Sequence, residues 1–159
     1  IEAMKKVDAK LIIVGDGPLR KNLEEQAAEM KDKVAFLGAK THEQLKEIYA
    51  SSDVFVAPSV TAKDGDKEGF GLVFLEAMAS GLPVIGSNSG GIPSIVKNNE
   101  NGFLVKEKDV DDLREKINLL ITDEELCRKY SVNAIKTAEQ YDYGKIAQKY
   151  TQKLYEIMK

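Results

Sequence analysis

The sequence predicts an α/β fold, a doubly wound parallel sheet with helices on both faces, followed by a helical last third. Three observations carry that prediction. Short apolar runs rich in β-branched residues recur between residues 11 and 105, the pattern of strands buried within a parallel sheet. Segments with apolar residues at helical spacing alternate with them, and strands separated in this way are joined by right-handed crossovers. Beyond residue 109 the apolar periodicity is helical throughout.

Leu11-Ile12-Ile13-Val14, closed by Gly15, reads as a strand buried on both faces. Pro18 stands at the first helical position, followed by Leu19, Leu23, Ala27 and Met30. Val34 to Gly38 is a second strand; Thr41 is an N-cap, and Leu45, Ile48 and Tyr49 share one helical face. Val54 to Ala57 is a third strand. After a polar loop from Pro58 to Asp66, Leu72 to Ser80 is helical, and Gly81 falls at the C′ position. Pro83 to Gly86 begins a fourth strand, and a loop from Ser87 to Gly91 leads to Pro93 and a short helical turn through Val96. Gly102 to Val105 is the last strand. Asp109 caps a helix bearing Val110, Leu113, Ile117 and Leu120; Tyr143, Ile146, Tyr150, Leu154 and Ile157 form a second stripe, read as a packing face. Residues 1–10 look like the tail of a helix feeding a strand, so the expectation is one domain, 1–159, truncated at its N-terminus, with a first strand and a partner lobe lying upstream.

At 159 residues the chain is long enough to bury a core without staples. Its 43 % hydrophobic and 31 % charged residues are those of a soluble globular protein. A net charge of −3 leaves no basic footprint for nucleic acid, whereas a nucleotide diphosphate needs only a few local amides and cations. Cys127 is the sole cysteine, which rules out an internal disulfide and fits a reducing cytoplasm. No apolar run approaches the roughly 20 residues of a membrane span, and no signal-peptide pattern opens the sequence.

In an open α/β sheet, ligands bind beyond the carboxyl ends of the strands, so the loops after Val14, Leu37, Ala57 and Gly86 are the candidates. Gly15-Asp16-Gly17-Pro18 is a weak dinucleotide signal, because Arg20 occupies the place of a third glycine and Pro18 lacks an amide. The loop from Pro58 to Gly71 is more informative. It ends in Glu68-Gly69-Phe70-Gly71, whose glycines allow close backbone approach, and it opens a helix whose first amides suit a diphosphate. Glu68 lies just outside that opening, as an acceptor for sugar hydroxyls. Glu76 lies one turn in, among apolar neighbours, where the two hydroxyls of a ribose would satisfy it. Taken singly, Glu68 reads as a solvated acid and Glu76 as an ordinary helix residue satisfied by a neighbouring amide or lysine; the Gly-Phe-Gly between them, the strand before and Gly-Leu-Pro after turn the reading toward a site. His42 reads as a surface residue, and Asp64 with Asp66 makes a poor metal site.

The segment from Glu68 to Glu76, continuing through Ala77-Met78-Ala79 to Gly81, Pro83 and Val84, closely resembles the signature of group 1 glycosyltransferases, family 4 of the GT-B fold. The likeness extends through Val14 to Pro18, Phe36-Leu37-Gly38, Ser52-Asp53-Val54, Gly90-Gly91-Ile92-Pro93 and Asn101 to Val105. It implies the Rossmann-like C-terminal lobe of a retaining hexosyltransferase. Glu68 is implied as the catalytic-site acid that contacts the donor hexose. Gly69, Phe70, Gly71 and Leu72 would face the sugar and diphosphate, Glu76 would hold the ribose, and Lys40 would lie at the nucleobase. For Lys40, a solvated strand end is an equal reading. The donor would be a UDP- or GDP-hexose, with no metal and no separate cofactor. The acceptor would be a glycan or a lipid-linked molecule bound by the upstream lobe, with peripheral membrane association of the whole enzyme at the inner face.

Two departures stand out. The Arg and Lys with which such domains usually begin precede this sequence, which implies impaired donor binding and no turnover by this piece alone. Ser94 replaces a common Glu, which leaves the role of the Gly90-Gly91 loop open. The rival readings are a nucleotide-sugar epimerase-like enzyme, a non-catalytic nucleotide-binding module, and a receiver domain. The last is disfavoured because Asp53 precedes its strand rather than following it.

Overall fold

A computed structural model describes residues 1–62 and 64–158. All five predicted strands form, and every pairing is parallel. They divide into two hydrogen-bonded groups. β1 (Leu11–Val14) pairs with β2 (Val34–Gly38), while β3 (Phe55–Ala57), β4 (Val84–Ser87) and β5 (Gly102–Val105) make a second sheet in that order. Helices α1 (Arg20–Gln26), α2 (His42–Ala50), α3 (Leu72–Ala79) and α4 (Ile92–Ile95) alternate with the strands. α5 (Val110–Thr122), α6 (Glu124–Gln140) and α7 (Tyr143–Ile157) follow them.

β4 is the pivot. Ile85 enters one apolar cluster, with Phe103, Val105, Ile117, Leu120 and Tyr130. Its neighbour Val84 enters another, with Phe74, Ala77, Met78, Ile92 and Ile95. Successive residues of a strand face opposite ways, so one strand buried on both sides joins two cores into the doubly wound arrangement. The residues before β1 form a 3-10 turn, Glu2–Lys6, and Ala3, Met4 and Val7 lie in the Ile85 cluster.

Local signals place the helix ends. Thr41 forms a full capping box with Gln44 ahead of α2. Asp109 and Asp123 accept the amides of Asp112 and Leu126 at the starts of α5 and α6. α3 ends in a Schellman motif: Gly81, with φ of +84°, donates to the Met78 carbonyl, and Leu82 donates to Ala77, both at 3.0 Å.

Three local expectations change. β1 is not buried on both faces, since Ile12 is 41 % exposed; double burial belongs to β4, which has a core on each side. Pro18 is not the first helical residue, because a turn closed by Arg20 N–H to the Gly17 carbonyl intervenes before α1. The stripe on α7 packs against neither core: Tyr143, Ile146, Tyr150, Leu154 and Ile157 are exposed. No helix among the described residues is long and apolar enough to cross a membrane.

Candidate functional site

The loop between β3 and α3 carries the predicted site, and glycine sets its geometry. Gly71 is the N-cap of α3 and adopts the left-handed conformation, φ +74°, which a side chain strains to reach. A Cβ there would also sit 3.0 Å from the Phe74 ring. Gly71 has no side chain with which to cap the helix, so the first amides of α3 remain available to an anion. Glu68 and Phe70 flank this opening. Phe70 is 47 % exposed, with the edge of its ring set against Tyr141 at 5.8 Å between centroids.

Glu76 is half-buried on α3, and Tyr49 on α2 donates its hydroxyl to Glu76 Oε2 at 3.3 Å. Burial, reinforced by the facing carboxylate, pushes the Tyr49 phenol up to about 12. Below Tyr49 an aromatic stack fixes the geometry. Tyr49 meets Phe55 edge-on at 6.0 Å, and Phe55 meets Phe74 at 5.3 Å. One carboxylate oxygen is thus oriented by a neighbouring helix, which the sequence reading missed; it had placed Tyr49 only on a packing face.

The Gly90-Gly91 loop acquires a definite role. The Gly91 amide donates to the Glu68 carbonyl at 3.1 Å. A Cβ on Gly90 would lie 2.3 Å from that same oxygen, and one on Gly91 would lie 1.8 Å from the Gly69 carbonyl oxygen. Main chain therefore packs on main chain, and glycine is the residue that permits it. Ser94 donates its hydroxyl to the Gly91 carbonyl, while Tyr141 donates to the Ser94 carbonyl at 3.2 Å. The serine that departs from the signature thus supports the loop.

A second residue that sequence reasoning passed over is Glu107, in the turn after β5. Its two oxygens accept the Thr61 amide at 3.0 Å and the Thr61 hydroxyl at 2.8 Å. The hydroxyl of Ser89, then the amide and hydroxyl of Thr61, with Lys67 nearby, hold its carboxyl down at about 2.

Asp16 and Lys40 sit with the other sheet, that of β1 and β2. Asp16 accepts from Gly17 N–H at 2.9 Å and from Arg20 at 3.2 Å, so the first glycine loop satisfies its own acid. Lys40 lies between β2 and the Thr41 cap. No hydrogen bond among the described residues joins it to Glu68 or Glu76. Asp64 and Asp66 bond within their own loop, and no group of three or more potential ligands gathers among the described residues.

Comparison with known proteins places the family and the fold. The profile described as glycosyl transferases group 1 matches residues 1–137. The N-acetyl-alpha-D-glucosaminyl L-malate synthase of Bacillus anthracis is 36 % identical over 162 residues, covering 97 % of this chain and 39 % of that protein. Anabaena HepE, solved in complex with UDP and glucose, superposes with a TM-score of 0.80 at 28 % identity, over 97 % of this chain and 42 % of HepE. The C-terminal domain of a group 1 glycosyl transferase (LpcC) from Francisella tularensis gives 0.74 at 29 % identity, over 87 % of this chain and 75 % of that domain. The chain thus spans about two fifths of the length of the synthase and of HepE, and its fold is that of a GT-B C-terminal domain. Profile, fold and the glycine-built turn between Glu68 and Glu76 converge: the chain belongs to the group 1 glycosyltransferases.

Proposed function

We propose that the chain is the donor half of a retaining hexosyltransferase that moves a hexose from UDP or GDP to a hydroxyl of a glycan or lipid-linked acceptor. The observation that carries this reading is the open start of α3 with a carboxylate on either side of it, Glu68 outside and Tyr49-oriented Glu76 one turn in. HepE, solved with UDP and glucose, supports a nucleotide-sugar ligand for the same fold.

In this reading the free amides at Leu72 and Val73 receive the diphosphate and stabilise the charge that grows on it as the bond to the sugar breaks. Glu76 takes the ribose hydroxyls. Glu68 takes hydroxyls of the hexose and fixes the face that it presents. The acceptor oxygen forms its bond on the face that the diphosphate leaves, and the hydroxyl proton passes to the departing phosphate. The acceptor would be held by the part of the enzyme corresponding to the remaining three fifths of the relatives.

The test is a thermal-shift series of the full-length enzyme with UDP-, GDP- and ADP-hexoses. A donor present at 100 times its dissociation constant stabilises the native state by about 2.7 kcal/mol. The expected result is a shift with one class of donor, lost in Glu68→Ala for the sugar and in Glu76→Ala for nucleotide and sugar alike. A flat response to all three would overturn the reading. Conversion of the hexose to its epimer would replace it with the epimerase-like reading.

A further inference from the structure

The loop from Pro58 to Gly71 is long for a connection within a compact domain, and the cost of ordering it has to be met by bonds outside itself. The structure shows where they come from. Glu107 projects from a turn fixed at both ends: Lys106 N–H donates to Asp112, Asp109 N–H donates back to the Lys106 carbonyl, and Lys108 holds a positive φ of 63°. From that turn the carboxylate takes both the amide and the hydroxyl of Thr61. The Thr61 hydroxyl also lies 3.5 Å from that of Ser89, at the start of the glycine loop. Asn88 N–H bonds the Val105 carbonyl at 2.8 Å, tying that loop to the end of β5.

The connections close on themselves. Thr61 is followed by Ala62, whose amide bonds the Asp66 carbonyl at 2.8 Å and draws the outgoing and returning arms of the loop together. Two residues beyond Asp66, the Glu68 carbonyl accepts the Gly91 amide, and Gly91 leads back through Gly90 to Ser89. A carboxylate is the strongest acceptor available to the chain, and each of its oxygens takes a bond from Thr61.

We infer that Glu107 is a positioning residue for the sugar end of the donor site: through Thr61 and Ser89 it clasps the loop that carries Glu68 to the glycine loop behind it. Its oxygens are engaged by Thr61 and it acts through Glu68, so the inference rests on the donor-site reading above. Glu76 and Tyr49 hang on α3 and α2, outside the clasp, so the nucleotide end of the site does not depend on it.

That asymmetry gives the test. Affinities of wild type, Glu107→Gln, Glu107→Ala and Thr61→Val are measured by calorimetry for the nucleotide-sugar that wild type binds and for the corresponding nucleoside diphosphate. Amide hydrogen exchange of unliganded protein is followed at Thr61, Ala62 and Gly91. Glu107→Ala is expected to weaken the nucleotide-sugar by about tenfold, as befits the loss of one or two hydrogen bonds, while leaving the diphosphate within about twofold. Those three amides should exchange faster, Glu107→Gln should fall between wild type and Ala, and the double variant Glu107→Ala, Thr61→Val should be no worse than either single change. Equal losses for sugar-nucleotide and diphosphate, or unchanged exchange in Glu107→Ala, would overturn the clasp. Should wild type bind no donor, the function proposed above fails, and the exchange measurement still decides whether Glu107 orders the loop.

Discussion

Tyr49 must keep its proton to donate to Glu76, and the protein holds it by raising the phenol from the ordinary 10 to about 12, first through burial and then through the adjoining negative charge. A group whose folded value is raised contributes stability that is fully present below its unfolded value and lost as pH climbs through the folded one. The stability difference between wild type and Tyr49→Phe is therefore expected to be level near neutrality and to shrink between pH 10 and about 12, as followed by urea unfolding across that range. A difference that does not change with pH would show that the hydroxyl is not engaged. Gly91 makes the opposite kind of case, since its contribution is the absence of atoms. A methyl at this position would overlap the Gly69 carbonyl, so Gly91→Ala is expected to destabilise the fold by about 1–3 kcal/mol and to abolish the donor shift. Gly17→Ala, with nothing within 4 Å of its Cβ, serves as the control and should stay within about 0.5 kcal/mol of wild type.

Among the elements, α3 and α7 differ in how they are held. α3 is short, but its Phe74, Ala77 and Met78 are fully buried and its C-terminus is locked by Gly81 and Leu82, so the turn it opens has a rigid base. α7 carries a clear apolar stripe, yet contributes no side chain to either core. Deleting residues 143–159 is accordingly expected to move the melting temperature by less than about 2 °C, measured by circular dichroism against the full chain. A larger fall would mean that the helix packs on the domain in solution. The stripe itself was legible in the sequence; the absence of a partner for it was not, because periodicity gives the face a helix would bury and not whether anything covers it.

Across the whole molecule, features encoded within a few residues of chain were readable in advance. The Thr41 and Asp109 caps and the Gly81 terminator are such features, because their partners lie within one turn, and each of the five strands is a single apolar run whose composition marks it without reference to its partner. So was the segment from Glu68 to Glu76, carried by a run of signature residues. The supports of that segment were not readable, since Tyr49 reaches Glu76 across 27 positions and Thr61 reaches Glu107 across 46, and neither pair leaves a periodic trace. Burial of a strand on both faces was misassigned from β4 to β1 for a related reason: apolar composition is shared by the two, and only the stacking of layers separates them. Phe70 rests edge-on against Tyr141. The chain contains no tryptophan, so Tyr141→Trp would install a lone indole against the ring that projects from the glycine-flanked turn. Selective excitation of that one fluorophore would give the turn an optical reporter without any labelling chemistry.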